Sequence, residues 1–182
     1  IVFEIGPKDE SYEEKGLQFV NEVVGGKIPR EFIPAVEKGF KNSMDNGPLA
    51  GYPIENMKIR LYDGSFHDVD SDSLSFELAA GIAFRQSTKK ANPAILEPIM
   101  SVEVVSPEEF TGPVTGDLNK RRGIMKGMDM KGNAQIIRAD VPLSELFGYV
   151  TDLRTISSGR ASATLTFSHY EMVPKNIAVE II

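Results

Sequence analysis

The stretch ILEPIMSVEVVSPEEFTGPVTGDLNKRRG (Ile95–Gly123) opens the part of the chain whose rhythm decides the fold. Up to Val105 its later residues alternate apolar and polar, the period-two pattern of a half-buried strand. Ser106-Pro107-Glu108-Glu109 then spells a capping box with proline at the first helical position. Pro113 lies too deep for an unbroken helix from that start, so the helix must kink or restart near Thr111 before running to Arg122, where Gly123 ends it. Beyond it, Ile124–Met130 and Ala134–Val141 read as two strands joined around Lys131-Gly132-Asn133. Leu143–Ile156 has helical spacing, with Leu146, Phe147, Val150 and Leu153 expected inward and Ser157-Ser158-Gly159 as its exit. Ala161–Tyr170 supplies a last strand, and Pro174–Ile182 a short terminal helix. Strand, helix, strand, strand, helix, strand is the order of the ferredoxin-like split βαβ motif.

Upstream of this module the elements form a separate set, so the expected class is α+β with two small domains, 1–96 and 97–182, meeting near Leu96. Ile1–Ile5 and Leu17–Val24 read as strands, the second closed by Gly25-Gly26. A helix follows, in which Phe32 or Ile33, Val36, Phe40 and Met44 recur every three or four residues; Pro29 suits its first turn and Gly47-Pro48 stops it. Ile54–Tyr62 alternates as a strand ending at Asp63-Gly64. Leu74–Phe84 is helical and apolar on most sides, which predicts a helix covered on two faces and ending near Lys89-Lys90.

A chain of 182 residues with 41% apolar side chains can bury real cores, so disorder is not its main state. Its 26 acidic and 20 basic residues leave a net charge of −6, which speaks against a DNA-coating surface. The absence of cysteine excludes disulfides, a thiol nucleophile and thiolate-bound metals, and fits the cytoplasm. No run approaches 18 apolar residues, and the amino terminus lacks the marks of a signal peptide, so no membrane partner is expected. The chain starts at Ile1 within a strand, which points to a fragment of a longer protein.

The polar loop DGSFHDVDSDS (Asp63–Ser73) holds one of two histidines. Asp68, Asp70 and Asp72 have the spacing of the first ligands of a calcium loop, but Ser73 stands where glycine is needed and Ala79 where a bidentate glutamate is needed. The residues Asp70–Ser73 better fit a helix cap. His67 could act as a general base oriented by Asp68, yet no nucleophile or oxyanion loop accompanies it, so no catalytic and no metal-binding residue is expected. The glycines form neither a phosphate loop nor a dinucleotide fingerprint, so no nucleotide site is expected. Lys120, Arg121, Arg122, Lys126 and Lys131 gather at a helix end. Such a cluster either rides on a phosphate backbone or merely complements the carboxyl end of the helix, and composition leaves both open.

The strings VGGKIPREFIPAV (Val24–Val36), DGSFHDVDS (Asp63–Ser71) and ILEPIM (Ile95–Met100) resemble the fourth domain of translation elongation factor G and its junction with the fifth. GDLNKRRG (Gly116–Gly123), VPLSELFGY (Val141–Tyr149) and SGRA (Ser158–Ala161) resemble the fifth domain, and the similarity runs in order along essentially the whole chain. The resemblance implies a ribosome-binding piece of a translational GTPase that promotes movement of tRNA and mRNA. It implies a fourth domain with a left-handed βαβ crossover, whose tip enters the A site of the small ribosomal subunit. By match, that tip is Gly64, Ser65, Phe66, His67, Asp68, Val69, Asp70 and Ser71. It also implies a ferredoxin-like fifth domain docked on large-subunit rRNA near the sarcin-ricin loop and the stalk base, with Lys120, Arg121, Arg122, Tyr149 and Arg154 as candidate contacts.

GTP and Mg belong, on this resemblance, to an amino-terminal domain of the parent, so this piece itself should bind neither and catalyse nothing. The family's glycine-rich loop, the other half of the tip, sits on a strand before Ile1, and loss of that strand leaves an exposed sheet edge. Phe66 stands where many members have tyrosine, and Pro113 where many have aspartate. Three carboxylates make the tip a poor gripper of phosphates, so a wedge is expected, acting by volume and a few hydrogen bonds to unstacked RNA. A paralogue specialised for ribosome recycling and a ribosomal-protection factor share both domains, but the tip string favours the translocase. A free-standing RNA-binding adaptor and a metal-dependent hydrolase built on His67 are the remaining alternatives.

Overall fold

Alternation of apolar residues draws three strands of the first unit into one sheet, in a computed structural model that describes residues 1–182. They are β1 (Val2–Pro7), β2 (Leu17–Asn21) and β3 (Met57–Asp63), joined by helix α1 (Ile33–Met44) and followed by α2 (Ser73–Lys90). Central β3 runs antiparallel to β1 and parallel to β2, and its Ile59 and Leu61 are buried. A parallel pair needs a crossover, which α1 supplies. Val36, Phe40 and Met44 face inward from α1, and the Phe40 ring lies 4.8 Å from Phe3, 6.2 Å from Phe19 and 6.3 Å from Phe84. Gly39 allows close helix contact, because a Cβ there would sit 2.3 Å from the Glu77 carbonyl oxygen of α2.

Two strands are shorter than alternation predicted, for local reasons. β2 ends at Asn21, whose Oδ1 accepts the Val23 amide and turns the chain toward Gly25 and Gly26, both left-handed. β3 starts late because the Ile54 amide donates to the Met44 carbonyl at the end of α1. The expectation that α2 is covered on two faces fails. Phe76, Ala80, Gly81 and Phe84 face inward, whereas Leu74, Leu78 and Ile82 are 61%, 58% and 51% exposed. A unit with one sheet and one other long helix has a single layer to offer, so the second apolar stripe stays in solvent.

The second unit spans Ile95–Ala178, while Ile1–Ala94 and Val179–Ile182 form the first. Its elements are β4 (Leu96–Pro107), α3 (Thr111–Lys120), β5 (Ile124–Lys131), β6 (Ala134–Pro142), α4 (Tyr149–Ile156) and β7 (Ser162–Met172), and α5 (Lys175–Ile181) closes the chain. The sheet order β5-β6-β4-β7, with all neighbours antiparallel, is the ferredoxin-like arrangement. Val102, Val104, Ile137, Ala139 and Val141 meet Val114 and Leu118 of α3 and Tyr149 and Leu153 of α4 in its core.

A short 3₁₀ turn, Glu108–Phe110, precedes α3, and the restart at Thr111 places Pro113 in the first turn, where no donor is needed. The expected single helix over Leu143–Ile156 is instead a 3₁₀ turn, Leu143–Glu145, then left-handed Gly148, then α4. That break leaves Phe147 outside any helix. Leu146, Tyr149 and Leu153 turn inward, while Phe147, 78% exposed, and Val150 point outward against expectation. No helix is long and apolar enough to cross a membrane.

Candidate nucleic-acid interface

The loop Gly64–Ser71 leaves the end of β3 and enters α2, and its base is tied to the loop before α1. Asp63 Oδ1 accepts the Gly64 amide at 2.7 Å, and Oδ2 pairs with Lys27 Nζ at 3.0 Å. The Lys27 ammonium, helped by the Gly64 amide, holds the Asp63 carboxyl below its usual range. Buried Ile28 packs so closely that a Cβ on Gly64 would lie 2.6 Å from its Cδ1. Above this base Ser65–Asp70 are exposed, with Val69 at 84%.

The turn itself is ordered. The His67 amide donates to Ser71 Oγ at 2.8 Å, and the His67 carbonyl accepts from the Ser71 amide at 3.0 Å and the Asp70 amide at 3.2 Å. The carboxylate beside the imidazole is Asp70, 3.7 Å from Nδ1, rather than the Asp68 that sequence order suggested. Asp72 caps α2 by accepting the Ser75 amide at 2.7 Å, and hydrogen bonding from Ser75 holds its carboxyl below the ordinary value. Asp68, Asp70 and Asp72 therefore do not converge, and no three acidic or histidine side chains come together to hold a metal ion. Such a loop offers an exposed imidazole, an exposed valine and hydrogen-bonding groups, which suit contact rather than bond-breaking chemistry.

In the second unit the basic cluster divides. Arg121, with its side chain 14% exposed, donates from Nε to Asp117 at 2.8 Å and from Nη1 to the Glu145 carbonyl at 2.6 Å, pairs with Asp152, and lies 5.1 Å over the Tyr149 ring. Arg122 is held by Glu97, and Lys126 pairs with Asp140 at 2.9 Å. Lys120 and Arg154 are exposed, and neither engages an acidic side chain. Of the five expected docking residues, Lys120 and Arg154 thus reach solvent, whereas Arg121, Arg122 and Tyr149 belong largely to the frame. Asp117 claims Arg121 from one helical turn away, but Asp152 and Glu97 are remote in sequence, so a run of cations looked freer than it is. Outward Phe147 was missed because it lies in the turn between the 3₁₀ segment and α4, where helical spacing does not apply.

Tyr149 is buried with its hydroxyl unpaired, and burial pushes the phenol up to about 12. Tyr149→Phe is expected to keep or raise stability by up to about 1 kcal/mol, because an unsatisfied buried hydroxyl is removed. The raised folded-state value also means that stability falls as pH climbs from the ordinary 10.0 through about 12. That alkaline loss should shrink in the variant, as urea denaturation across the range will read.

Comparisons with known proteins cover the whole chain. A family model described as Elongation factor G, domain IV matches residues 1–92, and one described as Elongation factor G C-terminus matches residues 94–181. Elongation factor G of Amoebophilus asiaticus is 70% identical over 182 residues, which are 100% of this chain and 25% of that protein. That of Cytophaga hutchinsonii is 66% identical over the same 182 residues, 26% of its length. The chain thus spans about a quarter of the curated relatives it matches. A crystal structure of a Thermus thermophilus protein superposes with a TM-score of 0.87 at 37% identity, covering 98% of this chain and 26% of that one.

Proposed function

Because this chain belongs to the elongation factor G family, we propose that it is the ribosome-contacting part of a translation factor that drives tRNA and mRNA through the small ribosomal subunit. On this reading the Gly64–Ser71 loop is the tip that enters the A site there, behind the moving tRNA and mRNA. The observation that carries it is the loop's build: exposed from Ser65 to Asp70, closed on itself, and braced at its base by Lys27 and Ile28. A braced, acidic projection resists pushing and repels phosphates, so it acts as a wedge that keeps tRNA from returning.

The second unit docks on large-subunit rRNA near the sarcin-ricin loop and the stalk base, through Lys120 and Arg154, with Arg121, Arg122 and Tyr149 holding the surface in shape. The cofactors, GTP and Mg, act in the remainder of the full-length factor, and this chain's own residues contribute binding and shape, in the cytoplasm.

In the full-length factor, His67→Ala combined with Val69→Ala is expected to slow translocation about tenfold, equivalent to roughly 1.4 kcal/mol of lost contact. Rapid-mixing fluorescence of labelled mRNA will measure it, with circular dichroism reporting the fold. A normal rate in that variant, beside abolished ribosome binding in Lys120→Ala with Arg154→Ala, would mean that docking alone does the work.

A further inference from the structure

One residue grips the His67 backbone from both sides. Ser71 Oγ accepts the His67 amide at 2.8 Å, and the Ser71 amide donates to the His67 carbonyl at 3.0 Å, with the Asp70 amide adding a second donor at 3.2 Å. Both backbone polar groups of His67 are therefore used within the turn, and its ring is left exposed with Asp70 at 3.7 Å as its nearest carboxylate. Ser71 is itself half-buried and adjoins Asp72, which caps α2 through the Ser75 amide at 2.7 Å. The clasp is thus rooted in a helix of 18 residues whose Phe76 and Phe84 sit in the core. A loop held this way has little conformational freedom left to lose on contact, whereas an unclasped one would have to be ordered by its partner.

We propose that Ser71 is a positioning residue for His67: its hydroxyl and amide present the imidazole, with Val69 at the apex, ready-formed to unstacked RNA. The proposal rests on the reading of Gly64–Ser71 as the translocating tip. Ser71 acts through the His67 backbone, so removing its hydroxyl should loosen the apex while leaving the α2 cap and the core intact.

The test compares Ser71→Ala, Ser71→Thr, His67→Ala and the Ser71→Ala/His67→Ala double variant in the full-length factor. Ser71→Ala is expected to slow single-turnover mRNA movement about fivefold, the effect of losing one ordinary hydrogen bond. Exchange of the His67 amide hydrogen should accelerate about tenfold. Ser71→Thr, which keeps the hydroxyl, should restore both the rate and the protection. In the His67→Ala background, Ser71→Ala should add little further slowing, since a residue that works only through its neighbour has nothing left to position. Full speed in Ser71→Ala beside a slow His67→Ala overturns the positioning role alone, as does a fully additive double variant. Full speed in His67→Ala overturns the tip reading and this proposal with it.

Discussion

Phe40→Ala is expected to destabilise the first unit by about 4 kcal/mol, a large share of the stability of a small domain. Phe40 is fully buried, and its ring meets Phe3 from β1, Phe19 from β2 and Phe84 from α2, so it ties the sheet to both helices. Truncation would remove the transfer free energy of a benzyl group and leave a cavity. Gly39 beside it already holds the α1 and α2 backbones in contact, so the helices cannot collapse further to fill the space. Leu78→Ala, on the exposed stripe of the same helix pair, should change stability by no more than about 0.5 kcal/mol. Urea denaturation of the 182-residue chain, followed by exchange of α1 and α2 amide hydrogens, separates the two. Equal losses would mean that a second layer covers α2 after all.

The second large effect concerns Arg121. Arg121→Ala should cost the second unit about 3 kcal/mol, because it leaves Asp117 and the Glu145 carbonyl without their donor in a largely enclosed site. Arg121→Lys should recover only part of this, since an ammonium cannot reproduce the fork that reaches Asp117, Asp152 and the Glu145 carbonyl at once. Lys120→Ala and Arg154→Ala, both at exposed positions, should instead leave stability within about 0.5 kcal/mol and lower the salt dependence of RNA binding. Denaturation of each variant, alongside binding to a large-subunit rRNA fragment over a salt series, distinguishes the roles. Unchanged unfolding of Arg121→Ala together with weakened RNA binding would make that guanidinium a docking contact instead of a brace.

These two residues mark where reading along the chain succeeds and where it stops. Phe40 was placed in the core by spacing alone, since Val36, Phe40 and Met44 fall on one helical face whatever lies opposite. Leu74, Leu78 and Ile82 obey the same spacing, yet they face solvent. Periodicity reports that a face is apolar and says nothing about whether a second layer exists to cover it. Arg121 likewise reads as one of a run of cations until Asp117, Asp152 and the Glu145 carbonyl close around it. The Gly64–Ser71 segment was legible as a loop from its Gly, Ser and Asp content, and as a candidate tip from its resemblance to a known family. Its hydrogen bonding was not, because the spatial neighbour of the imidazole is Asp70 and the clasp belongs to Ser71.

The amino-acid sequence by itself determined the kinds and order of the elements, the ferredoxin-like second unit and the family, because helical and strand periods, glycine and proline stops, and long specific strings are all local. Only the tertiary structure decided which apolar faces are covered, which arginines are already neutralised, and how the Lys27–Ile28 loop and Ser71 hold the Gly64–Ser71 loop. Those outcomes depend on ångström-scale distances, some between groups far apart in the chain and some set by the exact path of a turn, and burial, pairing and packing energies fall off over such distances.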